Sequence, residues 1–168
     1  MELSVCEIHL VVSDLDASEA FYTSVLGFSR AFRGDDVCFL WTGSERGDQI
    51  GLWRVRQDDR VRAHTTPDTS RIQRQHVAFG LEVDALGGAL RALAEKGVAV
   101  RDFEGREEDL SVHAWVPAVS AYLTDPDGHA LELYARLPDP PEPGAGVIPF
   151  GAWERQHGRS GPAEGLRG

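Results

Sequence analysis

Read for the spacing of its apolar positions, the chain describes one βαβββ unit written twice. Val5-Cys6-Glu7-Ile8-His9-Leu10-Val11-Val12 is rich in β-branched residues and predicts a strand. Asp16, with Glu19 three positions on, then predicts a helix start with a capping box. Phe21, Tyr22, Val25 and Leu26 give that helix its apolar face, and Gly27 is placed to end it. Three short strands are expected around 28–33, 36–42 and 49–55. After a polar, Arg-rich stretch the pattern restarts with a strand at 75–82 and Asp84 as the next helix cap. Leu86, Ala89, Leu90, Leu93 and Ala94 then recur at helical spacing before Gly97. Strands near 98–103, 120–124 and 130–135 complete the copy, the last two joined by the turn sequence Asp125-Pro126-Asp127-Gly128. The stretch 104–117 reads as an irregular interruption.

The expected organisation is a first module over 1–56, a linker over 57–74, a second module over 75–137 and a C-terminal tail over 138–168. The tail holds six of the nine Pro and seven of the 18 Gly, so it reads as something other than a core element. It also carries Val147, Ile148, Phe150 and Trp153, which leaves two readings open: a disordered terminus, or a strap over the body or a partner subunit.

Side-chain parity picks out the chemistry. In the first strand Cys6, Ile8, Leu10 and Val12 form one apolar face for the helix to cover, so His9 points the other way. In the fifth strand Val77, Phe79 and Leu81 face the helix, which turns His76 away, beside the small Ala78 and Gly80. Leu131 and Leu133 do the same in the last strand and send Glu132 to the side of the histidines. A pseudo-twofold axis relating the copies would bring their first strands, and so His9 and His76, together. Two imidazoles and a carboxylate with open positions suit Fe(II), and also Mn, Ni or Zn.

Composition narrows the partners. With 17 Lys+Arg against 27 Asp+Glu, a formal charge of −10 argues against nucleic acid and anionic membrane, because cationic side chains supply most of the affinity for polyphosphate. No run approaches the roughly 20 apolar residues of a membrane span, and the N-terminus lacks the basic and apolar regions of a signal peptide. Cys6 and Cys38 sit in apolar runs and read as small buried hydrophobes of a reducing cytoplasm.

The stretches His9-Leu-Val-Val-Ser-Asp-Leu, Phe21-Tyr22, Val25-Leu26-Gly27-Phe28, His76-Val-Ala-Phe and Asp125-Pro-Asp-Gly-His-Ala-Leu-Glu132-Leu resemble the vicinal oxygen chelate superfamily. That superfamily takes in glyoxalase I, the fosfomycin resistance proteins, the extradiol dioxygenases and the bleomycin resistance proteins. The resemblance covers about 5–136. It implies an α+β fold in which two βαβββ modules form a curved, partly closed mixed sheet around a metal site. It also implies that His9, His76 and Glu132 are metal ligands. The family's fourth ligand position falls at Gly51, a departure that disfavours glyoxalase I; Gln49, on the same face, is a poor substitute ligand. Tyr122, ten residues before Glu132, matches a Tyr that the extradiol and fosfomycin branches use on the bound substrate.

Fosfomycin chemistry is disfavoured further by Val11, where those enzymes carry Thr, and by the acidic loop 104–109. The expectation is therefore a small-molecule enzyme resembling extradiol dioxygenases, with one divalent metal, Fe(II) favoured, acting on a catechol-like compound. Trp53 and Gly51 would line a pocket for a flat ring, with Gln49 beside them. His64 and His113 are candidates to enter from loops as acid–base groups, and Glu7 to orient a ligand His or pair with an Arg. His129 and His157 read as structural or solvated. A homodimer is expected. The alternatives are a metal-free drug-binding protein of the bleomycin-resistance kind, which the −10 charge suits, and a lyase, isomerase or thiol transferase of the same superfamily.

Overall fold

Both predicted βαβββ patterns form in the computed structural model, which describes residues 1, 4–43, 47–56, 66–107 and 109–159. The first comprises β1 (Glu7–Val12), α1 (Leu15–Ser24), β2 (Ser29–Arg33), β3 (Val37–Trp41) and β4 (Gln49–Arg54). They make a sheet of order β1-β4-β3-β2 in which β1 runs parallel to β4 and the other pairs are antiparallel. The second comprises β5 (His76–Gly80), α2 (Val83–Glu95), β6 (Ser111–His113), β7 (Ala118–Thr124) and β8 (Ala130–Arg136). Beyond it the chain forms a short 3₁₀ turn (Pro143–Ala145), β9 (Val147–Pro149) and α3 (Phe150–Gln156). The second sheet has the order β5-β8-β7-β6-β9, with β5 parallel to β8. The class is α+β, with two open sheets of four and five strands.

The chain divides into two compact units, Met1–Gln75 with Asp125–His129, and His76–Thr124 with Ala130–Gly168. In the first, Leu10, Val12, Leu15, Tyr22, Leu40, Ile50 and Leu52 are fully enclosed, as the parity of β1 requires. The turn sequence Asp125-Pro126-Asp127-Gly128-His129 is bound there through its own side chains. Tyr22 Oη donates to Asp125 at 3.0 Å, and Ser13 N–H donates to Asp127 at 3.1 Å. His129, wholly buried, accepts from Gln75 N–H at Nδ1 (3.1 Å), which leaves Nε2–H to donate to the Val11 carbonyl (3.0 Å). The structural reading of His129 therefore holds. In the second unit Leu86 and Leu93 of α2, Val119, Ala121, Leu131 and Leu133 form the core, joined by Phe150 and Trp153.

Several local expectations are corrected. The N-cap of α1 is Asp14, whose carboxylate accepts from Asp16 N–H and Ala17 N–H. Glu19 is no capping-box partner: its buried carboxylate receives Arg30 and Arg33. Helix α2 starts at Val83, with Asp84 inside its first turn. Gly27 and Gly97 do end the helices with φ of +76° and +71°. Residues 98–103 contribute only a bridge from Arg101 to Tyr122, because the Asp102 carboxylate draws the Glu104 and Arg106 N–H groups into a turn. The strand beside β7 is instead Ser111–His113, inside the stretch expected to be irregular. The linker over 57–74 lies partly outside the described residues. Among the described residues, no helix is long and apolar enough to cross a membrane.

Candidate functional site

Residues paired across neighbouring strands point to the same face, so the ladders of the second sheet place its polar side chains in rows. Ala78, Glu132 and Tyr122 form one row, and His76, Ala130 and Thr124 the next. Each strand supplies what its parity predicted. His76 Nε2 lies 2.9 Å from Glu132 Oε2. The Glu132 side chain is 6% exposed and that of His76 53%, so the imidazole forms the open side of the pair. The other carboxylate oxygen, Oε1, is buried with no donor. His113 Nε2 lies 4.0 Å from it, beyond hydrogen-bond reach.

His113 does not enter from a loop. It ends β6, paired with Ala118 on one side and Val147 of β9 on the other, and its Nε2 meets the Tyr122 hydroxyl at 2.7 Å. Burial pushes the His113 imidazole below its ordinary range, with the Glu132 charge opposing and His76 assisting. Burial, with the negative charge of Glu132 behind it, pushes the Tyr122 hydroxyl up to about 12. At neutral pH Tyr122 therefore keeps its proton, and the unprotonated His113 Nε2 accepts the hydrogen bond from its hydroxyl.

Aromatic rings surround this pair. Phe103 stands edge-on to His113 at 5.7 Å and near Tyr122 at 6.2 Å, while Trp115 lies 4.8 Å from His113. Phe103 and Trp115 are 58% and 47% exposed, high for side chains of that size. Sequence reasoning gave neither a role. The alternation Ser111-Val112-His113-Ala114-Trp115 was the signal that would have found β6 and the Trp115 ring.

In the first unit His9, Gly51 and Phe39 form one row and Glu7, Gln49 and Trp41 another, so Gln49, Gly51 and Trp53 do share a face with His9. Glu7 pairs with His9 itself, through Oε1 and Nε2. The His9 ring occupies the space over Gly51: a Cβ there would stand 2.7 Å from His9 Cδ2 and 3.0 Å from Phe39 Cε1. The Trp53 ring lies 5.5 Å from that of His9, and its indole N–H is buried without a partner. Cys38 is buried, its thiol pushed up to about 11 by burial and by Glu19, but Cys6 is exposed, against expectation. His64 lies outside the described residues. His157 packs on Trp153 and reaches Glu142, a structural position.

The structure thus brings together His76, Glu132, Tyr122 and His113 in the second unit, and His9 with Gly51 and Trp53 in the first. Among the described residues, no three His, Cys, Asp or Glu side chains converge as a metal cage.

A family model described as the glyoxalase/bleomycin resistance protein/dioxygenase superfamily matches residues 4–133. The chain is 27% identical over 131 residues to metallothiol transferase FosB of Lysinibacillus sphaericus, covering 78% of this chain and 81% of that one. It is 28% identical over 131 residues to glutathione transferase FosA of Serratia marcescens, covering 78% and 79%. An integron cassette protein from the mobile metagenome of the Halifax Harbour sewage outfall superposes with a TM-score of 0.59 at 30% identity, over 79% of this chain and 97% of its own.

Proposed function

The chain belongs to the glyoxalase/bleomycin resistance protein/dioxygenase superfamily, and from that premise we propose that it is a metal-dependent enzyme performing oxygenase-type chemistry on a small catechol-like compound. The observation that carries this reading is the Glu132 carboxylate, buried with one oxygen paired to His76 and the other left without a donor. An orphaned buried acceptor costs about 1–3 kcal/mol, and a carboxylate in that position is suited to a cation. His76 and Glu132 are the ligands in this reading, and their imidazole and carboxylate donors fit Fe(II) first, then Mn, Ni or Zn. When bound, the metal supplies Lewis acidity and open positions for a substrate's oxygens.

The chain's own groups do the rest. The Tyr122 hydroxyl, its O–H directed at His113, accepts a hydrogen bond from a substrate hydroxyl and orients it; as it passes its own proton to His113 Nε2 it takes the substrate's in exchange. The exposed Phe103 and Trp115 rings stack a flat ligand beside them. A homodimer and a cytoplasmic location accompany the reading.

The second reading is thiol transfer, favoured by the two transferases among the relatives. Against an anionic substrate, Arg101 and Arg106 near the site are already paired with Glu107, and with Asp102 and Glu104.

Anaerobic loading with Fe(II) followed by metal analysis tests the ligand set: the parent should retain one iron per chain, and His76→Ala and Glu132→Ala should lose it. Equal retention by both variants overturns the site. Oxygen consumption with a catechol panel, against thiol consumption with glutathione and an electrophile panel, decides between the two chemistries.

A further inference from the structure

The family match ends at residue 133, yet the chain continues through β9 and α3 and packs both onto the second unit. Ala114, which separates His113 from Trp115, is fully buried. Its N–H donates to the Gly146 carbonyl at 2.9 Å, and its carbonyl accepts from Glu142 N–H at 2.7 Å. Both backbone groups of this buried residue are therefore satisfied by the C-terminal segment. Val147 pairs with His113 itself, and Phe150 N–H closes the ladder on the Leu110 carbonyl at 2.8 Å.

The segment is in turn fastened to itself. The indole N–H of wholly buried Trp153 donates to Asp139 at 2.7 Å. Arg159 grips the same carboxylate with two bonds of 2.9 and 2.7 Å, and donates to Glu154 at 2.7 Å. His157 stacks on Trp153 at 4.2 Å and reaches the carboxylate of Glu142, whose N–H holds Ala114.

We propose that Asp139, Glu142, Gly146, Val147, Trp153 and Arg159 are positioning residues: together they form a clip that sets His113 against Tyr122 and fixes Trp115 as a wall for a flat aromatic ligand. This rests on the reading of His113, Tyr122 and Trp115 as the ligand site. None of the clip residues needs to touch the ligand. They act through the backbone of β6, which has only three residues and would otherwise be the free edge of its sheet.

The test uses the full chain labelled with 5-fluorotryptophan, whose four ¹⁹F resonances are assigned by single Trp→Phe variants. Two variants release the clip without touching the site. Gly146→Ala adds a methyl into open space but strains a backbone at φ +67°, at the entry to β9. Ile148→Pro removes an N–H that, by the alternation of the ladder between Ala114 and Phe150, points at β6.

In both variants the Trp115 resonance should shift by more than its linewidth or broaden away, and the nuclear Overhauser contact between the His113 and Tyr122 rings should be lost. Trp41 and Trp53 should stay in place. A Trp153 resonance that moves while Trp115 and the His113–Tyr122 contact do not would overturn the proposal. Should neither variant fold, amide exchange on the unaltered protein decides. Ala114 N–H is expected to exchange within about threefold of Ile148 and Phe150 N–H, as one opening unit. Protection of Ala114 tenfold or more above them, roughly 1.4 kcal/mol, would refute it. Neither measurement involves metal or turnover, so absence of iron binding or oxygen consumption would sink the functional reading and leave this one standing.

Discussion

Replacing Asp139 by Ala withdraws the acceptor from two donors at once, and the structure sets the size of the loss. The Trp153 indole N–H lies in a fully enclosed side chain, so without its 2.7 Å bond it has no water to turn to; an orphan of this kind costs about 1–3 kcal/mol. The Arg159 fork is bidentate, but the Arg159 side chain is 36% exposed, and solvent screening holds its share to about 1 kcal/mol. The sum for Asp139→Ala is about 2–4 kcal/mol, read as a lowered urea midpoint at unchanged slope. Asp139→Asn keeps a neutral acceptor for the indole and should lose only about 1 kcal/mol.

The decisive comparison is in a Trp153→Phe background. There the N–H no longer exists, and Asp139→Ala should fall to the Arg159 share of about 1 kcal/mol. An Asp139→Ala cost below about 0.5 kcal/mol, or an equal cost in both backgrounds, would refute the account of the clip. The same carboxyl gives a pH signature. The hydrogen bonds from Arg159 hold it below the usual carboxylate range, burial opposes, and Trp153 assists. The folded carboxyl thus titrates below the unfolded one. Its contribution is complete above the unfolded value of about 3.9 and is lost as pH falls through the lowered folded value. Asp139→Asn should lack that acid-side loss.

Other perturbations have equally definite outcomes. Gly51→Ala places a Cβ 2.7 Å from His9 Cδ2, so the ring must leave Glu7, at about 1–3 kcal/mol of overpacking; an unmoved His9 NMR signal would contradict this. His129→Ala strands the buried Val11 carbonyl and leaves a cavity, for a loss of about 2–4 kcal/mol in denaturant unfolding, and a neutral result would show that the turn is held by Asp125 and Asp127 alone. Cys38, with its buried thiol raised to about 11, should resist Ellman's reagent in the folded protein while exposed Cys6 reacts at once; two fast thiols would mean that the interior of the first unit opens readily.

The doubled βαβββ pattern, the strand faces and the ends of both helices were legible in the sequence, because each depends on a period or a stop signal contained within a dozen residues. His76 and Glu132 were found the same way, parity alone placing both on one side of their strands. Where expectation and structure part, the deciding partner lies far along the chain or competes locally. Asp14 outcompeted Asp16 as cap because its carboxylate reaches two N–H groups. Val98–Phe103 had strand-like composition, yet Asp102 drew the following backbone into a turn, and Ser111–His113 took the place beside β7. Gly51, read as a missing ligand, is the space into which the His9 ring turns.

By itself, then, the sequence determined most of the strands and helices, which faces they bury, and which polar side chains share the opposite faces, since periodicity and side-chain chemistry are properties of the chain alone. Only tertiary structure decided that His113 stands on a strand against Tyr122, that Phe103 and Trp115 flank it, and that a Pro- and Gly-rich tail supplies the strand and helix that clip it there. Those outcomes depend on which backbone N–H and carbonyl groups remain unpaired after the local elements have formed, and pairing between residues tens of positions apart leaves no period to read.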